Sequence, residues 1–284
     1  MITIIIPSKT EIFLKRTIDD VLEKSVGEIE IYPVLDGYDL KDGEKVIDSR
    51  VHYIKLPPTR HCKKRHGINK VVNELAKGKY VMSLDAHCML DYGWDEVLTK
   101  DLNENEVVVP RRQRLDAANW CLQPQCDNRP PIDYEYIMWP LKFDPVGFHG
   151  FKWDERTLKR WDILIDEAME IQGSMWVMNK SWFQRCGFMD LKYQGWGQEG
   201  EEIVFTTYKN DGRVIVNKKT WYAHLHKGKE YGRMYFLPKS ETRTSYLYCY
   251  EYWTKKQRTF FVKFIEKFMP IPGWPLDWTK QIYS

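Results

Sequence analysis

No stretch of this 284-residue chain is apolar for long enough to span a membrane. The opening run, residues 1–7, is short and has neither the basic start nor the small-residue cleavage site of a secretory signal. Six cysteines (Cys62, Cys88, Cys121, Cys126, Cys186 and Cys249) never fall at CxxC spacing, which argues against a structural zinc site and supplies no disulfide framework. These absences lead to the expectation of a cytoplasmic protein with reduced thiols, from a microbial or virus-infected cell. Charge of one sign is scarce as well. The 43 Lys and Arg nearly balance 40 Asp and Glu, for a net charge of +3, so the surface is not globally basic. Local basic clusters at 60–66, 111–114 and 255–258 still suit a polyanionic ligand, although solvated loops are the commoner reason for any one of them. Glycine is missing where a triphosphate cradle would need it: Pro7-Ser-Lys-Thr10 is no phosphate loop, which counts against a nucleotidyltransferase.

What is present is an alternation of strand and helix signals. The β-branched run 2–6 stops at Pro7, and residues 13–24 place Phe13, Leu14, Ile18, Val21 and Leu22 at amphipathic-helix spacing. Strand signals at 28–35 and 51–56, a helix over 67–77 and a strand at 80–84 continue the βαβ rhythm. The pattern predicts an α/β class, with a mostly parallel Rossmann-like central sheet flanked by helices. Ligands of such sheets bind beyond the carboxyl ends of the strands, and Asp36, Asp39, Asp85 and His87 all fall there.

The strongest local signal is Leu84-Asp85-Ala86-His87-Cys88, an apolar strand ending in an acid and an imidazole. Residues two apart on an extended segment point the same way, so Asp85 and His87 can close on one cation. The plain alternative is a turn-capping Asp beside a surface His. In the second half, Trp221-Tyr-Ala-His224-Leu-His226-Lys227 offers His224 and His226 on one side of another extended segment, either as a third ligand or as packed or solvated histidines.

Residues 65–88, from Arg65-His-Gly through Ala76-Lys-Gly78 to Asp85-Ala-His87-Cys88, resemble the nucleotide-binding half of GT-A fold glycosyltransferases. The DxH-Cys form is similar to the polypeptide N-acetylgalactosaminyltransferase family in particular. Gln172-Gly-Ser-Met-Trp176, Gly187-Phe-Met-Asp190 and Gly195-Trp196-Gly197-Gln198-Glu199-Gly200 resemble that family's later motifs in order; Gln198 stands for its second glycine and Gly200 for its asparagine. The resemblance implies a GT-A catalytic domain over 1–235, split into a nucleotide-binding half (1–110) and an acceptor and sugar half (111–235). A C-terminal helical extension follows over 236–284, where the periodicity predicts helices at 241–256 and 260–268. It implies a UDP-sugar donor, Mn2+ or Mg2+ held by Asp85, His87 and His224, and diphosphate contacts from Arg65 and Lys227. His224 is preferred over His226 because the family sets its ligand histidine three residues before a basic residue. It further places Asp36 near the base or ribose, Trp196 against the donor, and Glu199 on the acceptor and donor-sugar side, as general base or orienting group.

Trp176, Trp196 and Trp221 lie in the motif regions, where their faces can stack on a sugar or base. Residues 111–165 read as long loops suited to acceptor binding or a lid. The acceptor is expected to be a glycan, a protein side chain or a hydroxylated DNA base. A non-catalytic nucleic-acid or carbohydrate binding module is the competing class, and it has no need of Asp85, His87 and His224 together.

Overall fold

A computed structural model describes residues 1–123, 130–140, 148–194, 196–233 and 235–283. Cys126 and Gly195, singled out above, and parts of the 111–165 stretch lie outside the described residues.

The first half follows the hydrophobic pattern. Strand β1 (Ile2–Ser8) is a β-branched run, nearly all buried, that leads into helix α1 (Leu14–Lys24), which buries Leu14, Thr17, Ile18 and Val21. Strand β2 (Ile29–Asp36) is buried at all eight positions, as expected of a strand covered on both faces. Then come β3 (Ile54–Leu56), helix α2 (Lys64–Lys70), which continues through a π-helical turn at Val71–Leu75, and β4 (Tyr80–Leu84). These four strands pair in parallel in the order β3-β2-β1-β4. Pairing of β1 with β4 stops at Ile5 and Ser83, so Pro7, which cannot donate to a ladder, lies past the last pair.

Beyond β4 the sheet changes direction. The chain forms β5 (Cys88–Leu90), α3 (Trp94–Thr99), β6 (Glu106–Asp116), β7 (Cys121–Leu122), β8 (Glu135–Ile137), β9 (Gly150–Lys152), α4 (Asp154–Lys159), β10 (Ile165–Glu167) and β11 (Met175–Asn179). After α5 (Lys180–Cys186) and α6 (Glu199–Lys209) comes β12 (Arg213–His224). Strand β11 inserts antiparallel between β4 and β6, while β12 runs parallel to β6 and pairs antiparallel with β10 low on its length and with β5 at its end. Residues 111–116, expected in a loop, are therefore strand. The cause is distant pairing: the backbone of Arg111 to Arg114 pairs with Trp221 to His224 of β12, while Arg111 grips Asp133 through two hydrogen bonds of 2.8 and 2.7 Å and Arg112 grips Glu135. Charge that looked solvated in the sequence is tied down in ion pairs.

The short α7 (Gly228–Tyr231) is followed by α8 (Lys239–Glu251), α9 (Arg258–Phe268) and α10 (Trp278–Tyr283). Phe205 of α6 is fully buried among Trp253, Phe261 and Phe264, with ring centroids 5.0, 5.8 and 5.1 Å away. Burying one such ring contributes roughly 1.5–3 kcal/mol, so these contacts clamp α6 in place. Among the described residues no helix is long and apolar enough to cross a membrane.

Candidate active site

The turn Asp85-Ala86-His87 is where the chain leaves β4 and crosses to the edge of β12, with Cys88 paired to His224. That register brings the acid and both imidazoles together. The ligand atoms of Asp85, His87 and His224 all lie within 4.8 Å of one another. Nε2 of His224 is 3.1 Å from Nε2 of His87 and 3.6 Å from Oδ2 of Asp85. His226 is absent from this group: its ring stands edge-on to His224, at 5.2 Å between centroids.

Electrostatics suit a cation. Burial alone raises the Asp85 carboxyl, but the Lys64 ammonium, with His224 beside it, outweighs it and holds the acid below the usual carboxylate range. Burial pushes His224 down to about 3, beyond what Asp85 restores, so its ring is neutral and can offer a lone pair.

Two compartments meet at this group. One, on the side of the parallel strands, is lined by Ser8, Lys9, Asp36 and Lys63; the other, of about 460 Å³, is lined by Gln172, Gly173, Glu199, His224 and Arg233. Lys64, Asp85, His87, Trp196, Lys227 and Tyr235 line both. A larger cavity of about 510 Å³ opens under α3, but its Glu106 and Arg213 pair with each other and it is remote from the metal-ligating group.

Asp36 closes β2. Its Oδ2 accepts from Lys9 Nζ at 3.0 Å and from the Lys63 amide at 2.9 Å, and its buried Oδ1 has no partner. Glu199, the first residue of α6, is also buried with Oε1 unpartnered. It packs on Gly173, where a Cβ would stand 2.7 Å from its own. The preceding Gln198 has φ +62, the left-handed conformation in which a glycine would be unstrained, in keeping with its standing at a glycine position of the resembled motif. Trp196 lies under the Arg233 guanidinium, 4.1 Å from the ring centroid.

A family model, Glycosyl transferase family 2, matches residues 3–187. The chain belongs to glycosyl transferase family 2. It is 26% identical over 226 residues to polypeptide N-acetylgalactosaminyltransferase 3 of Drosophila melanogaster, covering 75% of this chain and 32% of the relative. It is 27% identical over 235 residues to polypeptide N-acetylgalactosaminyltransferase 4 of Mus musculus, covering 79% and 39%. It thus spans 32% and 39% of the length of these two relatives. The crystal structure of GalNAc-T7 with UDP, GalNAc and Mn2+ superposes with TM-score 0.70 at 16% identity, over 99% of this chain and 54% of that one. The fold of this family 2 glycosyltransferase domain is accordingly GT-A.

Several expected site residues of the domain lie elsewhere. Arg65 is 2% exposed and faces neither compartment; it forms an ion pair with Glu202, donates to Gly197 O at 3.1 Å and stacks 4.5 Å from the Tyr193 ring centroid. Its neighbour Lys64 takes the cleft position instead, donating to Asp85 Oδ1 at 2.8 Å and Gly173 O at 3.0 Å. Trp176 is core, stacked on Phe183, because its strand is buried on both faces. Trp221 packs with the small apolar cluster around Phe13 and Leu115. Asp39 is exposed and pairs with Lys55 at 2.6 Å. Lys64, Lys9, Tyr235 and Glu11 carry no motif in the sequence. For Glu11 the one available signal was its place just past the end of β1, at the edge where such sheets bind ligands.

Proposed function

We propose that this domain transfers a sugar from a UDP-sugar to an acceptor hydroxyl, with a divalent metal ion at Asp85, His87 and His224. The observation that carries the reading is the shared wall. One compartment has the unpartnered Asp36 oxygen for a base or ribose, the other the unpartnered Glu199 oxygen for a sugar, and the metal-ligating group stands between them, where a diphosphate would join the two. UDP and Mn2+ named with the related GalNAc-T7 support the same choice of donor and ion.

The residues fit the ion. Two imidazole nitrogens and one carboxylate oxygen form a mixed donor set that suits Mn2+ better than Mg2+, which prefers all-oxygen sites. Bound there, such an ion supplies Lewis-acid stabilisation of the leaving diphosphate. The protein does the rest. Lys64 and Lys227 neutralise diphosphate charge, Trp196 offers a flat face to the donor, and Asp36 accepts hydrogen bonds from the nucleoside. Glu199 hydrogen-bonds the donor sugar or the acceptor hydroxyl. We assign catalysis to 1–235, with 1–110 holding the nucleotide and 111–235 the sugar and acceptor. The extension 236–284 braces α6 and hence Glu199. With members of all three basic clusters engaged in internal contacts, a glycan or protein hydroxyl is the better acceptor than a hydroxylated DNA base. Cys88 and Cys249, buried as free thiols in apolar surroundings, suit a reducing, cytoplasmic setting.

The test is UDP release from a panel of UDP-hexoses and UDP-N-acetylhexosamines, with and without Mn2+, alongside thermal shifts. Mn2+-dependent turnover that falls at least about a thousandfold in Asp85→Asn supports the reading. A melting temperature unmoved by every nucleotide with Mn2+, and turnover equal in Asp85→Asn, overturn it in favour of a binding module.

A further inference from the structure

Glu11 lies between β1 and α1, outside every motif discussed so far, yet its carboxylate is fully engaged at the site. Oε1 accepts from the Phe13 amide at 3.3 Å; Oε2 lies 3.1 Å from Nδ1 of His87 and also accepts from Lys227 Nζ. The side chain is 7% exposed. We infer that Glu11 is the positioning residue of the metal site: it holds His87 in the tautomer that aims a bare Nε2 at the ion, and ties Lys227 beside it. The inference rests on the metal-dependent reading above.

An imidazole has two nitrogens, and fixing the proton on one frees the lone pair of the other. A carboxylate accepting from Nδ1 keeps the proton there, so Nε2, which faces Nε2 of His224 at 3.1 Å, is left as a donor atom for a cation. The second tie acts on the chain after β12. Lys227 is held by Glu11, and four residues later Tyr231 packs edge-on to Phe13 at 5.3 Å, so residues 11–13 pin both ends of this segment. One carboxylate thereby sets a ligand from the β4 turn and a diphosphate-facing cation from the β12 end.

The experiment measures Mn2+ affinity of the nucleotide-free protein by electron paramagnetic resonance, for wild type, Glu11→Gln, Glu11→Ala and Asp85→Asn. It is paired with ¹⁵N chemical shifts of the His87 ring in the metal-free state. Glu11→Ala is expected to bind Mn2+ about 10- to 100-fold more weakly, with the His87 proton no longer confined to Nδ1. Glu11→Gln keeps an oxygen to accept that proton but loses the charge, so its affinity should fall in between; it also decides the matter if the alanine variant fails to fold. Unchanged Mn2+ affinity and ring shifts in both variants, with only a lower melting temperature, overturn the inference and leave Glu11 a structural residue. A wild type whose Mn2+ binding matches that of Asp85→Asn overturns the metal reading itself, and this inference with it.

Discussion

On one side of β4 the strands β1, β2 and β3 run parallel to it, whereas on the other β11 runs against both β4 and β6. A parallel stack delivers every carboxyl end to one edge, and Asp36, Glu11 and Asp85 reach the cleft for that reason alone. Antiparallel β11 brings its start to the same edge, so the loop before it, Gln172-Gly173-Ser174, lines the compartment that holds Glu199. His224 arrives by a third route: β12 shifts register between Asn217 and Trp221, exchanges β10 for β5 as its outer partner, and only then ends at the site. One half places its chemistry by a repeated local rule, the other by long-range pairings, and the cleft is the seam between them.

The largest effect should come from cutting that seam. Arg65 on α2 and Glu202 on α6 form a buried ion pair across it, each side chain 3% exposed. Removing one partner leaves an uncompensated charge, so Arg65→Ala should cost about 3–5 kcal/mol in urea denaturation. Because the guanidinium faces neither compartment, the surviving folded enzyme should keep its KM for the nucleotide sugar. A raised KM with unchanged stability would return Arg65 to the diphosphate.

The contrast between halves also explains what could be read from the chain alone. Strands β1, β2 and β4 and helix α1 are continuous apolar or amphipathic runs, the parallel partners of these strands lie within some 80 residues, and their bounds match the pattern to within a few residues. Asp85 and His87 stand out because polar groups end a buried strand. Arg111 and Arg112 looked like loop charge because their partners, Asp133 and Glu135, are more than 20 residues away in a stretch with no periodicity. Lys64 and Arg65 were indistinguishable in sequence; one residue of helix rotates a side chain by about 100°, and only the fold decides which of the two meets the cleft.

A close approach in the mixed half gives the next largest effect. A Cβ on Gly200 would stand 1.9 Å from the carbonyl oxygen of Ile171 and 2.6 Å from Glu170 Oε1. Backbone must move to admit it, so Gly200→Ala should destabilise by about 2–3 kcal/mol and displace Glu199 next to it. The chain's glycine at the family's asparagine position thus has a steric cause. A thermal melt indistinguishable from wild type would remove it.

Lys64 spans the seam as well, from Asp85 on one side to Gly173 on the other. In the metal-free protein it holds the Asp85 oxygen that a cation would take, while in the proposed nucleotide complex it would add charge beside the diphosphate. Lys64→Met should therefore shift two affinities in opposite directions: Mn2+ alone binds about tenfold tighter, and UDP with saturating Mn2+ about tenfold weaker, each the size of one charge-assisted hydrogen bond. Isothermal titration of both ligands checks this, and a change of the same sign in both would break the argument.

A slope with pH, small at each step, tests how firmly the site turn is anchored from the parallel side. Asp20 of α1 accepts from the Leu90 amide at 2.6 Å and so fastens β5, the strand that follows His87. Burial pushes its carboxyl up to about 6, against the hydrogen bonds from Leu90 and Trp120 and the charge of Lys24, which lower it. A folded-state pKa above the unfolded value of about 4 means that the native protein holds more protons between those limits. Its contribution to stability is therefore full below pH about 4, is lost as pH rises to about 6, and is constant above. In Asp20→Asn the side-chain oxygen can still accept from Leu90 but nothing titrates. The difference in unfolding free energy between wild type and variant should consequently change by up to about 1.4 kcal/mol per pH unit across that window and level off above it. A difference flat from pH 4 to 6 would mean that Asp20 titrates as a solvated acid, and that β5 is held to α1 less tightly than the hydrogen-bond geometry implies.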